Sequence, residues 1–196
     1  KGNQLPVVPF PSASSGLRWV PNINGVDQHV DVGSITISNG DSVEVTVNAT
    51  PLVSTQLVFS GSDASPRFYI GVTNNNLLCG YGSQRVETTY QSTQKVKIIT
   101  SISNNIMTVT ANGTTVFTST QQVVLPLTIS SIGRGNSGSF YYFGQAYDFK
   151  VNDGSVYNFP FDDRTFGVGA VARNTGTGPD GAYINFTEST WQEIQA

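Results

Sequence analysis

The amino-acid sequence predicts an all-β protein, built as a two-sheet antiparallel jelly-roll sandwich. Short segments rich in Val, Ile, Thr, Tyr and Phe alternate between apolar and polar residues, and Gly and Asn separate these segments. Helical periodicity is hard to find anywhere in the chain. About a dozen short strands in one domain are too many for a single open sheet, so two packed sheets are expected.

The strands follow the alternating segments along the chain. We predict strands at 29–38, 42–49, 55–60, 67–73, 77–81, 85–90, 95–103, 106–111, 114–119, 125–132, 139–151, 155–161 and 183–186. Asn-Gly and Asp-Gly pairs tolerate the positive φ angles of tight turns, and they predict hairpin tips at 39–40, 112–113 and 153–154. The glycine-rich stretch 174–181 predicts a long irregular loop, after which ordered structure resumes.

Alternation also assigns the faces of the strands. In the segment RFYIGV, the apolar residues fall on one face, whereas Arg67 and Tyr69 fall on the other. In the segment RVETT, Val86 opposes Arg85 and Glu87. One sheet face is therefore predicted to be polar and open to solvent.

Length and composition predict one sizeable domain, with an N-terminal extension at 1–18 and the sandwich at 19–196. The chain begins KGNQLPVV, without an initiator Met or a signal-peptide pattern, which suggests an excised domain or a processed product. The single cysteine, Cys79, excludes an internal disulfide, and its surroundings, LLCGY, predict a buried strand in which the thiol is inert.

Charge limits the partners of the protein. Only 12% of residues are charged, the net charge is −3 and the sequence pI is near 4.9. Phosphate binding needs clustered Lys and Arg, and the sequence has no basic run, so nucleic acid is not an expected partner. No apolar run approaches the ~20 residues that span a bilayer, so membrane insertion is not expected either.

The segment NGVDQHVDVG contains the only histidine, His29, with Asp27 and Asp31 two residues away on either side. Along a strand these three side chains would share one face, with Gln28 and Val30 on the other. A zinc site needs three or four converging ligands, and one His without a second Cys makes such a site improbable. Strict alternation already accounts for Asp27 and Asp31 as polar neighbours of His29.

Known catalytic patterns are absent from the sequence. No G-x-S-x-G segment supports a Ser-His-Asp arrangement. Glycoside hydrolysis needs two carboxylates flanking the scissile bond. The four glutamates, at 44, 87, 188 and 193, do not show the E-x-D-x-x-E pattern by which some β-sandwich glycosidases place their carboxylates on one strand face. The sequence therefore predicts a protein that is not an enzyme.

Three blocks of sequence resemble the laminin-G-like branch of the concanavalin A-like lectin/glucanase superfamily, in the versions found in bacteriophage and bacterial surface proteins. NGVDQHVDVG followed by ISNGDSVEVTV is similar to the opening strands of that family, and this likeness implies that His29 packs at the sheet surface. SIGRGNSGSFYYFGQAYDFKV resembles the late segment in which an Ile-Gly-Arg turn leads to an aromatic strand. YNFPFDDRTFG and then TWQEI resemble the closing strand and its terminal tryptophan, Trp191, so that the resemblance extends from about residue 19 to 194.

The resemblance implies a surface-displayed adhesion or carbohydrate-binding module, extracellular or on a virion, and we expect a phage fibre, spike or decoration protein that contacts host glycans. The alternatives are a purely structural virion protein that binds other subunits and, less favoured, a glycosidase or a polysaccharide lyase with Tyr, His and Arg on a concave face. The predicted ligand-binding residues are Arg67, Tyr69, Tyr81, Arg85, Glu87 and Tyr142, with the three tyrosine rings exposed.

The same resemblance makes calcium a candidate ligand, although no cofactor is required. Asp63, Asn74 and Asn75 would converge at a loop rim if their strands pair as a hairpin. Asp162 and Asp163 form a second acidic turn. Ordinary turn chemistry explains Asp and Asn at all of these positions equally well. Trp191 and Trp19 are expected to serve as packing residues.

Overall fold

A computed structural model describes residues 17–50, 55–61, 67–73, 76–89, 94–135 and 141–195. These residues form two antiparallel sheets of eight strands each. Sheet A contains, from edge to edge, β10 (Thr114–Thr118), β9 (Ile106–Ala111), β8 (Val96–Ser103), β3 (Ser42–Ala49), β12 (Phe143–Val151), β1 (Leu17–Asn24) and β16 (Trp191–Gln195), with β13 (Asn158–Phe159) paired to β12. Sheet B contains β14 (Val171–Ala172), β15 (Gly181–Ile184), β2 (His29–Ile37), β11 (Leu127–Ile132), β4 (Gln56–Ser60), β5 (Phe68–Thr73), β6 (Asn76–Tyr81) and β7 (Gln84–Thr89).

The core lies between the two sheets, and alternation selects the residues that fill it. Val43, Val45 and Val47 of β3 are each at most 2% exposed, while the residues between them are half-buried. Phe59 of β4 meets Phe149 of β12 with ring centroids 6.3 Å apart, which joins sheet B to sheet A. Each such fully buried apolar side chain contributes about 1.5–3 kcal/mol. The predicted two-sheet antiparallel sandwich is confirmed.

Two of the three predicted hairpin tips are confirmed. Residues 112–113 connect the paired strands β9 and β10, and 153–154 lie between the paired strands β12 and β13. The third prediction is wrong, because 39–40 connects β2 in sheet B to β3 in sheet A. An Asn-Gly pair specifies a chain reversal but not the sheet that the next strand joins. A hairpin that we did not predict connects β8 and β9, where Asn104 and Asn105 have φ angles of 50° and 60°.

The two ends of the described chain lie side by side. Leu17 of β1 pairs with Gln195 of β16, so the terminal segments are neighbours in sheet A. The strand β1 is not among the predicted strands. The strand predicted at 155–161 is shorter, because only Asn158 and Phe159 pair with β12. In the described segments, no helix has the length and hydropathy needed to cross a bilayer.

Candidate functional site

The strands β5, β6 and β7 place Tyr69, Arg85 and Glu87 on the outside of sheet B, together with the buried Leu78. Phe68, Ile70 and Val72 of β5 are buried in the core, so Tyr69 faces outwards, as predicted, and the exposed Arg67 directly precedes the strand. Arg85 and Glu87 occupy the same outer side of β7, the last strand of sheet B among the described residues. The structure therefore brings together four of the six predicted ligand-binding residues. We define the tyrosine face as Arg67, Tyr69, Gly80, Arg85 and Glu87.

The ring of Tyr69 lies over β6 at Gly80. Tyr69 pairs with Gly80, and Gly80 pairs with Arg85 in the next strand. A Cβ atom on Gly80 would overlap the Cζ and Oη atoms of Tyr69. Glycine in a strand commonly marks such a close approach. The absence of a side chain at this position therefore lets a half-buried aromatic ring extend from β5 across the neighbouring strand.

Arg85 and Glu87 form an ion pair at one side of the ring. The Nε and Nη2 atoms of Arg85 donate to Oε1 of Glu87 at 3.0 and 2.5 Å. The two side chains are 49% and 37% exposed, so the pair contributes only about 0–1 kcal/mol to stability. The register places this guanidinium and carboxylate on the strand next to Gly80, on the same outer side as Tyr69.

Two of the predicted ligand-binding residues are not at the surface. Tyr81 and Tyr142 are each 1% exposed, so the prediction that their rings are open to solvent is wrong. Tyr81 falls on the core side of β6 with Cys79, and its hydroxyl accepts a hydrogen bond from the backbone N of Val124 at 2.6 Å. The hydroxyl of Tyr142 donates to the carbonyl of Gln145 at 3.1 Å. Burial with a satisfied hydroxyl is the usual arrangement of a core tyrosine.

The predicted calcium ligands Asp63, Asn74 and Asn75 lie outside the described residues, so that site stays a prediction. In the described part of the chain, no three His, Cys, Asp or Glu residues gather where they could hold a metal. At the second acidic turn, Asp163 accepts hydrogen bonds from the hydroxyl of Tyr183 at 2.6 Å and from the backbone N of Arg173 at 3.0 Å. Burial raises the pKa of Asp163 despite these bonds.

His29 packs on the outer surface of sheet B, as expected. It is 4% exposed, its ring centroid lies 6.2 Å from that of Tyr141, and its Nδ1 lies 3.3 Å from the carbonyl of Asp27. Burial, and after it the charge of Arg134, lowers the pKa of His29. Val30 faces the core on the other side, as predicted, but Asp27 precedes β2 in a turn, so the predicted row of three side chains is wrong at that position.

His29 and Tyr69 do not converge on one site. The strands β11 and β4 lie between β2 and β5, so His29 and Tyr69 are three strand spacings apart, about 14 Å. The lyase alternative places Tyr, His and Arg together on one concave face. The tyrosine face therefore lacks the histidine that such chemistry would use.

A second polar site, missed by the sequence analysis, is a pocket of about 420 Å³ where β1, the β1–β2 turn and the 3-10 helix Glu188–Thr190 meet. We call it the rim pocket, and its lining includes Asn22, Asn24, Asp27, Phe143, Asn185 and Ser189. The Asn-Gly pair at 24–25 signals the turn on one side. The other side comes from about 160 residues later in the sequence, and no local pattern connects the two.

The outer face of sheet A carries a different arrangement. Glu44 accepts from Lys97 at 2.8 Å and from Lys150 at 3.0 Å. Tyr147 is 4% exposed, and the Nζ of Lys95 lies 4.2 Å above its ring centroid. The Tyr147 hydroxyl donates to Oε1 of Gln145 at 2.6 Å. We define the lysine face as Glu44, Lys95, Lys97, Tyr147 and Lys150.

Cys79 and the two tryptophans occupy packing positions, as predicted. Cys79 is 1% exposed, and burial raises the pKa of its thiol to about 12. Trp191 is 5% exposed, meets Tyr183 edge to face with ring centroids 5.2 Å apart, and donates from Nε1 to the carbonyl of Thr165 at 3.0 Å. Trp19 packs against the core beneath the guanidinium of Arg164.

No protein-family model and no curated protein matches the chain. Several solved structures share its fold. The LG1-3 region of the laminin α2 chain is 12% identical, with a TM-score of 0.54; the match covers 74% of this chain and 27% of that one. A heptameric SAP-like pentraxin from Limulus polyphemus is 15% identical, with a TM-score of 0.51 and coverage of 68% and 75%.

A third similar structure is domain 4 of AbnA, an extracellular GH43 arabinanase from Geobacillus stearothermophilus, solved in complex with arabinotriose. It is 17% identical, with a TM-score of 0.52, and the match covers 67% of this chain and 69% of that one. The chain thus spans about a quarter of the laminin fragment and about two thirds to three quarters of the other two structures. These likenesses confirm the predicted jelly-roll fold, which the chain shares with laminin LG domains and a pentraxin.

Proposed function

We propose that this chain, a concanavalin A-like jelly roll of the laminin-G-like type, is a non-catalytic module that binds glycans through the tyrosine face. The observation that carries the proposal is the position of the Tyr69 ring over Gly80. A tyrosine ring is a rigid, amphipathic contact surface that loses little conformational entropy on binding. The C–H face of a sugar ring can pack on it while the sugar hydroxyls remain free for hydrogen bonds.

The charged residues around Tyr69 would provide those hydrogen bonds. Arg85 has five N–H donors in a fixed plane, and the ion pair with Glu87 orients that plane. Arg67 lies two residues from Tyr69 on the same side of β5. Two arginines and one glutamate give this face a net positive charge, which suits neutral or acidic sugars.

Such a shallow site would bind weakly, with a dissociation constant of about 1 mM, or roughly −4 kcal/mol. Function would then require many copies on one particle, because linked weak sites gain effective concentration. Display on a bacteriophage virion, as a fibre, spike or decoration protein that contacts host glycans, meets this requirement. The low charge content of 12% and the single cysteine suit an extracellular particle.

The non-catalytic part of the proposal is supported by the positions of the titratable groups. Glu44 is held between two lysines on the other sheet, and Glu87 is paired with Arg85. His29 lies three strands from Tyr69. Hydrolysis by two carboxylates needs an acid and a base or nucleophile within about 10 Å of each other around one sugar, and these groups do not supply such a pair.

The test is a glycan array of bacterial-surface and plant polysaccharides, followed by calorimetric titration of the best ligand with three variants. We expect Tyr69→Ala to lower the affinity at least tenfold, Tyr69→Phe to keep it within about threefold, and Thr46→Ala on the outer face of sheet A to leave it unchanged. Equal binding by Tyr69→Ala and the wild type would contradict the proposal. Release of unsaturated products that stops in Tyr69→Phe would instead indicate a lyase, which needs the hydroxyl.

The competing role is a structural virion subunit whose tyrosine face is covered by a protein neighbour. Solution size and particle binding distinguish the two roles. A glycan-binding module remains a monomer or small oligomer that binds the array. A domain that binds no glycan, yet docks tightly to particles lacking it, would favour the structural role.

A further inference from the structure

We propose that the rim pocket is a second, separate binding site for an uncharged sugar residue. This inference shares with the proposed function only the chemical class of the ligand, and it concerns other residues on another part of the sandwich. Its volume of about 420 Å³ lies within the usual range of small-ligand pockets. Its lining side chains are held by hydrogen bonds, include one ionisable group, and combine polar groups with one apolar residue.

Hydrogen bonds fix the side of the pocket formed by the β1–β2 turn. Oδ1 of Asn24 accepts from the backbone N atoms of Val26 and Gln28 at 3.0 and 3.2 Å. Nδ2 of Asn24 donates to Oδ1 of Asp27 at 2.8 Å. Each of these bonds spans at most four residues, so the turn holds its own polar side chains in place.

The buried side chain of Gln28 ties this turn to the opposite wall. Its Oε1 accepts from the backbone N of Asn24 at 3.0 Å, and its Nε2 donates to the carbonyl of Asn185 at 3.1 Å and to Oγ1 of Thr190 at 2.7 Å. Nδ2 of Asn185 donates to Oδ2 of Asp27 at 3.3 Å. A ligand therefore meets polar groups that are already ordered, which lowers the entropic cost of binding.

The charge of the lining selects the class of ligand. Asp27 is the single ionisable side chain among the described residues of the pocket, and it already accepts from two amides. An anionic ligand would meet a carboxylate and no cation. Calcium takes six to eight oxygen ligands, usually with several carboxylates. Hydroxyls and amides, as at Ser189 and Asn22, match the donors and acceptors of a neutral polyol.

Phe143 gives the pocket an apolar wall. Gly25, with a φ of 72°, brings the turn against this residue, because a Cβ atom on Gly25 would lie 2.8 Å from the Cβ of Phe143. Amides and hydroxyls beside one apolar wall match a pyranose or furanose, which has a polar edge and an apolar face. The geometry therefore points to a single uncharged sugar residue.

The rim pocket does not depend on the tyrosine face. Its turn leads into β2, which β11 and β4 separate from β5. Two separate sites on one domain allow a branched or long glycan to be held at two points, which raises the apparent affinity without new contacts. Loss of one site should leave the other intact, and the test uses this independence.

The test is an NMR titration of the whole chain with the methyl glycosides of glucose, galactose, mannose and N-acetylglucosamine, and separately with calcium chloride. We expect at least one glycoside to shift the side-chain amide signals of Asn24 and Asn185. Ser189→Trp, which fills the pocket from an exposed position, should weaken this binding at least tenfold. Asn22→Ala removes one lining amide with less risk to the fold and should weaken it severalfold.

Two controls keep the result specific. Ser103→Trp, at an exposed position of β8 away from the pocket, and Thr46→Ala, on the outer face of sheet A, should both leave glycoside binding within twofold of the wild type. The inference is overturned if no glycoside shifts either amide signal at a concentration of about 10 mM, ten times a dissociation constant of about 1 mM. It is also overturned if only calcium shifts these signals, or if Ser189→Trp and Asn22→Ala bind the glycoside as tightly as the wild type. If Tyr69→Ala binds polysaccharide as tightly as the wild type, the proposal of glycan binding by the tyrosine face is refuted, and the rim pocket is not affected.

Discussion

Two tyrosines on opposite outer faces of the sandwich have contrasting surroundings. Tyr69 on sheet B is half-buried and lies over Gly80, which has no side chain to displace it. Tyr147 on sheet A is 4% exposed beneath Lys95, and its hydroxyl is bound to Gln145. Both residues lie on outer faces of the sheets, yet only Tyr69 leaves part of its ring for a ligand.

The comparison shows that the neighbour in the next strand or loop decides the role of an outer-face ring. A lysine above the ring covers it and makes it part of the packing, with a cation–π contact of about 0.5–1 kcal/mol at such sites. A glycine beneath the ring allows it to extend over the strand. Of these two faces, the lysine face should therefore contribute more to the free energy of unfolding, and the tyrosine face should contribute more to ligand binding.

The largest expected difference is in the cost of removing each ring. Tyr147→Ala should lower the free energy of unfolding by about 3 kcal/mol, as for other buried aromatic residues, with no effect on glycan binding. Tyr69→Ala should cost about 1 kcal/mol, because its ring is only half-buried. Urea unfolding of the wild type and both variants at one pH measures the two changes in the free energy of unfolding. Equal costs for the two variants would remove the basis of the comparison.

The next effect concerns the contact between Tyr69 and Gly80. Gly80→Ala should cost about 1–3 kcal/mol, because the new Cβ displaces the ring. In the Tyr69→Ala background, the same change should cost much less, so the two variants should be strongly non-additive in a double-mutant cycle. Thr46→Ala, at a half-buried position on sheet A, serves as the control, with an expected change within about 0.5 kcal/mol. Additive costs would show that the ring does not lie over Gly80.

The smallest effect is the pH dependence of the lysine face. Burial alone would raise the pKa of Glu44, but the hydrogen bonds and charges of Lys97 and Lys150 outweigh it and lower that pKa. The stabilisation is therefore present above the unfolded pKa of about 4.5 and is lost as the pH falls through the lower folded value. Glu44→Gln should reduce, by about 1 kcal/mol or less, the decrease in the free energy of unfolding that acidification causes.

Unfolding at a series of pH values from 7 down to the acid limit checks the Glu44 prediction. The wild type and Glu44→Gln should differ most above the unfolded pKa and converge in acid. Glu87→Gln is the matched variant on the tyrosine face, where the paired groups are more exposed. Parallel curves for the wild type and Glu44→Gln would contradict the prediction.

Alternation along the strands was enough to predict the sandwich and the outward direction of Arg67, Tyr69, Arg85 and Glu87. It is a local property of the chain, and the pleat of a strand enforces it. Alternation could not predict the exposure of Tyr81, because the side of β6 that faces the core depends on how the two sheets stack. The turn at 39–40 differs from a hairpin because its residues specify a chain reversal but not the sheet that the next strand joins.

The rim pocket was beyond the sequence analysis for a topological reason. Asn24 and Asn185 meet only because β15 pairs with β2 and β16 with β1, so residues far apart in the chain form one cavity. The contact between Tyr69 and Gly80 was also beyond prediction, because it depends on the register between β5 and β6. Residue types could be found from the sequence, whereas the register that joins them could not.

The most direct test of the central claim is an NMR measurement on the domain with the oligosaccharide that binds best. Comparison with Tyr69→Phe identifies the ring signals of Tyr69. Binding through the tyrosine face predicts nuclear Overhauser effects between those ring protons and the C–H protons of the sugar, together with backbone amide shifts in β5, β6 and β7. A bound oligosaccharide that leaves the Tyr69 ring signals unchanged and shifts only amides elsewhere would contradict the account.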